Sequence, residues 1–250
     1  MTEASEDESQ KHAQEKQSSH KCSKLRSWLF STDHKVIAFQ YIITGMLMAV
    51  IGGYMAYVFR MQLAFPGEEV PGFGWVSPGN YNALVTNHGT IMIFWVAMPI
   101  LLAGFGNFLI PLMIGCDDMV FPRLNRLSFQ IFFISALVII ASLHVAGGGF
   151  GGAWTAYPPL STNPDYNLTP LGAVLWVVAV ALEFVAFLIG GINFVTTTMN
   201  ARAPGMGMMR IPLVVWMIVI ASILFMVSVG PLIAGAVRSE EHTSELQSRQ

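Results

Sequence analysis

Polar and apolar residues in this chain are sorted into long blocks. Five apolar blocks, at about 36–59, 88–115, 127–146, 171–197 and 211–237, are separated by short polar stretches that carry nearly all the charge. Each block meets the roughly 20 residues that an α-helix needs to cross a hydrocarbon core. Helices are required there, because lipid offers the backbone no partner and, closed barrels apart, only a helix satisfies its own N–H and C=O groups. No segment of about 10 residues alternates in polarity as a barrel strand would. The expected fold is all-α, a polytopic transmembrane helix bundle. Pro99 and Pro111 fall inside the second block, where a kink or local 3₁₀ turn braced by neighbouring helices is expected. Gly45, Gly52, Gly53, Gly104, Gly106, Gly190 and Gly191 suit close helix packing in lipid.

Composition agrees with the pattern. Of 250 residues, 54% are hydrophobic and 11% charged, against about 25% charged in soluble domains. Residues 1–35 hold six Lys/Arg and six Asp/Glu, and 236–250 hold five more charges, leaving eleven for the 200 residues between. That is too few to coat a soluble domain, and it excludes a soluble enzyme, a nucleic-acid-binding protein and a disulfide scaffold. The net charge of −2 averages a polar tail with a lipid-soluble body and says nothing about partners. Cys22 and Cys116 show no CxxC or Cys/His spacing, so neither receives a disulfide or metal role.

Basic residues fix an orientation. Six precede the first span, Arg123 and Arg126 lie in 116–126, and Arg202 and Arg210 lie in 198–210. Loop 60–87 has only Arg60 at the helix end, and loop 147–170 has none. The positive-inside rule predicts a cytoplasmic N-terminus with those two loops outside. Residues 1–30 lack the apolar core of a signal peptide and read as a disordered cytoplasmic arm. Residues 31–237 form the membrane part. At 238–250 the chain turns abruptly polar, which reads as a non-native, adapter-like tail; the alternative is a natural polar loop after the fifth span.

Polar groups at membrane depth are costly, so chemistry is sought among them. They are His88, His144, Asn107, Glu183 and Asn193, with Arg60, Asp117, Asp118 and Asn125 at helix ends. Ordinary readings stand beside the functional ones. A lone His near a helix end commonly bonds a backbone carbonyl, Arg60 can snorkel to headgroups, and Asp117 and Asp118 can be a solvated pair. Glu183 is harder to dismiss, since it lies mid-span: it must pair with another helix, meet water or carry a proton.

Several motifs occur in fixed order. Thr32-Asp33-His34-Lys35 leads the first span, and Asn87-His88-Gly89-Thr90-Ile91-Met92-Ile93-Phe94 opens the second. Gly106-Asn107-Phe108-Leu109-Ile110-Pro111-Leu112-Met113-Ile114-Gly115 follows, then Asp118-Met119-Val120-Phe121-Pro122-Arg123-Leu124-Asn125. Trp154-Thr155-Ala156-Tyr157-Pro158-Pro159-Leu160, Gly191-Ile192-Asn193-Phe194 and Arg202-Ala203-Pro204-Gly205-Met206 complete the set. From about Phe30 to Val237 the chain resembles subunit I of the haem–copper terminal oxidases, most closely the cytochrome c oxidases. The resemblance implies five of the family's twelve spans. In that family a low-spin haem passes electrons to a high-spin haem and copper, which reduce O₂ while protons cross the membrane.

By the same resemblance His88 is an axial ligand of the low-spin haem iron, Arg60 bonds a haem substituent, and Trp154 and Tyr157 lie near the propionates. Asp118 stands at the mouth of a proton-uptake path, with Asn107 and Asn125 ordering its water. The second axial ligand, the copper histidines and the high-spin haem ligand belong to later spans, so the high-spin haem and copper are expected only in the full-length subunit and the fragment alone is expected to be inactive. Implied partners are membrane lipid, other oxidase subunits, cytochrome c and O₂, with no nucleic acid, in a multi-pass protein of a bacterial plasma membrane. His88 and Asp118 are thirty residues apart, about 45 Å at 1.5 Å per residue, which places electron entry and proton entry on opposite faces.

The chain departs from the family pattern in its fourth span. Ala186 and Phe187 stand where two serines are commoner, and Glu183 lies one turn earlier. Glu183, Ala186, Gly190 and Asn193 share one helical face, either as a water file that extends the proton path or as a stripe bonded to a neighbouring helix. Ile51 and Met55 occupy positions where quinol-oxidising relatives carry Arg and Asp, which favours cytochrome c as donor. A quinol-oxidising relative is the alternative, as is an unrelated transporter or ion channel using Glu183.

Overall fold

The computed structural model describes residues 27–145, 148–157 and 170–248, with backbone alone at 170, 232, 233 and 236–248. Five long helices account for most of it: α1 (His34–Ala64), α2 (Pro78–Ile114), α3 (Pro122–Leu143), α4 (Pro170–Asn200) and α5 (Leu213–Ser248). All five are long and apolar enough to cross a membrane, α5 over Leu213–Pro231. Among the described residues there is no strand, only an isolated bridge between Val70 and Gly74.

The helix ends carry local signals. Asp33 caps α1 by accepting from the N–H groups of Lys35 and Val36. Ser77 caps α2 through Asn80 N–H, with Pro78 at the first turn, where its missing N–H costs nothing. The second span therefore begins ten residues before the expected position 88, and His88 lies inside a helix rather than at its mouth. Pro122 starts α3 in the same way, five residues ahead of the expected 127. Gly115 ends α2 in the left-handed conformation (φ 74°), returning its N–H to the Pro111 carbonyl.

The irregularity expected at Pro99 is present but of another kind. Ile91–Ala97 and Pro99–Gly104 are wide π-helical turns, not 3₁₀. Proline has no N–H and its ring collides with the carbonyl four residues back. Widening the helix relieves the collision, and Met98 N–H reaches the Ile93 carbonyl five residues away. Pro111 is absorbed within regular helix.

Helix α1 lies along α2, and α3 packs most extensively on α4, which in turn packs on α5. Small residues allow the close approach: a Cβ on Gly45 would meet Ile100, one on Gly52 would meet Met92, and one on Gly104 would meet Ile42. An apolar core joins Ile37, Tyr41, Ile91, Trp95, Phe132 and Phe184 of α1–α4. The arm expected over 1–30 lies outside the described residues up to 26, but its last residues are ordered. Arg126 donates to the Phe30 carbonyl (2.9 Å) and stacks over the Phe30 ring, and Gln40 donates to the Trp28 carbonyl (2.7 Å). No backbone break marks position 237, since α5 continues to Ser248.

Candidate functional site

The bundle has two differently built ends. At the end holding the start of α1, polar side chains converge. His34, buried at the first residue of α1, places Nδ1 3.1 Å from Asp118 Oδ1, and that oxygen also accepts from Met119 N–H (2.7 Å). Asp118 is partly open, with 36% of its side chain accessible. Asn193 on α4 uses both amide atoms on the Phe121 backbone, accepting from its N–H (3.0 Å) and donating to its carbonyl (3.3 Å). Thr197 accepts from Val120 N–H. These bonds fix the loop that presents Asp118. Beside Asp118, the partly buried Cys116 thiol is pushed up from its ordinary value by burial, with Asp118 and Asp117 adding to the shift.

Inward from that loop, Asn125 donates to Asn107, which donates to the Ala103 carbonyl (2.8 Å). Both asparagines are buried, and Asn125 Oδ1 and His34 Nε2 have no hydrogen-bond partner among the described residues. A small cavity of about 10 Å³ follows, lined by Asn107, Ser128, Tyr41, Ala186, Gly190 and Ser222. That is close to the room one water needs. Tyr41 and Ser128 bond each other across it at 2.6 Å. Further along α3, Ser135 lies 3.1 Å from Glu183 Oε2. Glu183 is fully buried, and its Oε1 has no partner among the described residues. The stripe on α4 thus serves two purposes: Ala186 and Gly190 line the cavity, while Asn193 holds a loop.

The opposite end is aromatic. His88 on α2 puts Nδ1 2.8 Å from the Gly52 carbonyl on α1 and meets the Phe59 ring edge-on at 5.4 Å. A carbonyl only accepts, so Nδ1 carries a proton, and in the neutral ring the lone pair is then on Nε2. Gly53 and Gly89, next in chain to the two bonded residues, both face open space. Arg60, adjacent to Phe59, is exposed and forms no hydrogen bond or ion pair among the described residues. Trp154 donates its indole N–H to Thr90 Oγ1 (3.0 Å), lies tilted against Phe94 and meets Trp176 edge-on. Tyr157, 70% exposed, projects from the same loop. His144 caps α3 with Nδ1 2.9 Å from the Ile140 carbonyl, the ordinary arrangement for a His at a helix end.

Sequence reasoning assigned no role to His34 and Thr90, which it met only as members of motifs, and missed Trp95, Ser135 and Trp176. One signal was available: Ser128, Ser135 and Ser142 recur every seven residues on one face of an otherwise apolar span, and all three are buried. Among the described residues no three His, Cys, Asp or Glu side chains converge in a way that would hold a metal ion by themselves.

Comparison with known proteins agrees with the motifs. The family model described as cytochrome c and quinol oxidase polypeptide I matches residues 36–244. The alternative cytochrome c oxidase subunit 1 of Bradyrhizobium diazoefficiens is 38% identical over 219 residues, covering 85% of this chain and 36% of the relative. A putative cytochrome c oxidase subunit 1-beta of Streptomyces avermitilis is 40% identical over 210 residues, covering 84% of this chain and 36% of its own length. The cytochrome c oxidase subunit 1 of Thermostichus vulcanus is 40% identical over 208 residues, with 83% and 36% covered. The chain spans about a third of the length of these relatives.

Proposed function

The chain belongs to the family of cytochrome c and quinol oxidase polypeptide I, and on that premise we propose that it supplies a low-spin haem pocket and a proton entrance to a respiratory oxidase that passes electrons from cytochrome c to O₂. The observation that carries this reading is the His88–Gly52 hydrogen bond. An iron ligand must be a neutral imidazole with one nitrogen free and the other held by an acceptor. With Nδ1–H on a backbone carbonyl, Nε2 is the nitrogen offered to iron. The open space at Gly53 and Gly89 suits a flat macrocycle beside it. Haem, when bound, supplies a one-electron carrier. Arg60 would lend it a positive charge that favours the reduced form, and Trp154 and Tyr157 would help to hold it. The high-spin haem and copper are assigned to the part of the relatives' length that this chain does not cover.

Proton uptake is assigned to the other end. Asp118 is the accessible acid, Asn125 and Asn107 order water behind it, and the cavity at Tyr41 and Ser128 leads toward Glu183. Asn193 is a positioning residue that holds the Asp118 loop. Lys35, Arg123, Arg126, Arg202 and Arg210 flank this end, which favours its assignment to the cytoplasmic side of a bacterial plasma membrane. Ile51 and Met55 are apolar and at least partly buried, which favours cytochrome c over a quinol as donor.

In the complete subunit, His88→Ala should abolish the low-spin haem absorbance and His144→Ala should leave it. Loss of the signal in both variants would overturn the choice of ligand. Residues 1–250 alone should show neither O₂ reduction nor a bis-histidine spectrum. A haem-bound preparation of this chain that reduced O₂ with no other subunit would contradict the reading.

A further inference from the structure

Three fully buried side chains from three helices meet where the wide turn of α2 faces α3 and α4. Trp95 Nε1–H donates to Ser135 Oγ at 3.0 Å. Ser135 Oγ lies 2.7 Å from the Phe132 carbonyl and 3.1 Å from Glu183 Oε2. A hydroxyl has one hydrogen to give and two lone pairs to fill, whereas an indole N–H can only donate and a carbonyl can only accept. Trp95 therefore takes one lone pair permanently. The single Ser135 hydrogen can go to Phe132 or to Glu183, but not to both.

We propose that Glu183, Ser135 and Trp95 form a proton-holding site in which the Ser135 hydroxyl is a two-position switch. When Glu183 carries a proton, its O–H donates to the second lone pair of Ser135, and Ser135 donates to the Phe132 carbonyl. Every group in the triad is then satisfied except the orphaned Glu183 Oε1. When Glu183 gives the proton up, Ser135 turns its hydrogen to the carboxylate, and Phe132 retains its bond within the helix. The arriving proton is held on the carboxyl and later leaves it; Ser135 keeps its own throughout, changing only the oxygen to which it donates. Oε1 is the edge from which a proton carrier approaches. No Lys, Arg or His pairs with the carboxyl among the described residues. On α1 the nearby titratable group is Tyr41, already bonded to Ser128. The charged form is thus supported by one hydroxyl alone, and proton occupancy decides where Ser135 points.

The switch rests on hydrogen-bond counting; its use in uptake rests on the proton path proposed above. The test is infrared spectroscopy of the purified 250-residue chain in lipid nanodiscs at neutral pH. The parent should show a protonated-carboxyl C=O band that Glu183→Gln removes. Ser135→Ala deletes the acceptor of the carboxyl O–H and should move the band to higher wavenumber. Trp95→Phe frees the lone pair used by the indole, makes Ser135 a better acceptor, and should move the band to lower wavenumber. Absence of a Glu183-dependent band in the parent overturns the proposal, as does a band that Ser135→Ala leaves in place. Should Ser135→Ala not fold, a band unmoved or raised by Trp95→Phe overturns it equally. In the complete oxidase, Glu183→Gln should slow turnover or uncouple pumping with haem content intact. Normal pumping by that variant, together with the expected band and its shifts in the parent, Ser135→Ala and Trp95→Phe, would remove the proton-path role and leave the switch standing.

Discussion

The two ends of this bundle solve the same problem, holding polar groups where water is scarce, by opposite means. At the Asp118 end, side-chain amides and hydroxyls bond the backbone of a loop and leave buried atoms of His34 and Asn125 unsatisfied, with Glu183 Oε1 a further such atom deeper in the bundle. At the His88 end, Asn87 Oδ1 and Gln62 Oε1 also lack a partner among the described residues, but the wall around Thr90 is closed. Thr90 gives its hydrogen to the Thr86 carbonyl and accepts from the indoles of Trp154 and Trp176, so its bonding capacity is filled. Unfilled valences suit a path through which water and protons move. Filled ones suit a rigid wall for a cofactor whose environment must not change during electron transfer.

The sharpest way to break this contrast is to remove the acid. Asp118→Asn in the complete oxidase should lower proton uptake by roughly tenfold or more, the scale of a lost acid–base group, with the haem spectrum unchanged. A spectrum altered as much as the uptake would show that the ends are not independent. At the other end, Thr90→Val keeps the shape but strands the buried Trp176 N–H and the Trp154 N–H. A loss of about 1–3 kcal/mol is expected, read from thermal unfolding in detergent, with Thr90→Ser restoring most of it.

Much of the contrast was legible in the sequence, but unevenly. The five spans were, because lipid forces about 20 apolar residues into helix. Their ends were not: Pro78–Asn87 is polar enough to resemble a loop, although Ser77-Pro78 is a helix-start signal. Pro99 announced an irregularity without its kind, since whether the helix tightens or widens depends on what packs against it, here Ile100 at Gly45 and Met92 at Gly52. His88, Asp118 and Glu183 stood out as polar groups bordering or within apolar runs. Thr90, Ser135 and Trp176 did not, because Thr, Ser and Trp are ordinary in membrane helices and their importance lies in what they meet across the bundle. The spacing put the α4 stripe on one helical face, and only the fold separates Asn193, which grips Phe121, from Ala186 and Gly190, which line a cavity.

Two smaller effects sharpen the picture of the Asp118 end. Asn193→Ala removes both bonds to Phe121 and should cost about 1–2 kcal/mol, seen as lower thermal stability together with faster alkylation of Cys116. In the parent, the raised Cys116 thiol holds little thiolate at neutral pH, so alkylation should be slower than for a free cysteine and should keep rising above the ordinary thiol range. Asp118→Asn removes one of the negative charges that raise it and should speed alkylation modestly, about twofold.

A division of labour between the two ends can be read in one paired measurement. In vesicles of the complete oxidase, low-spin haem absorbance and proton uptake from the Asp118 side are recorded on the same preparation for His88→Gly, Asp118→Asn and the parent. His88→Gly should lose the haem signal, imidazole added from outside should restore it, and Asp118→Asn should keep the signal while losing uptake. A low-spin haem signal that persists in His88→Gly without imidazole would contradict this division.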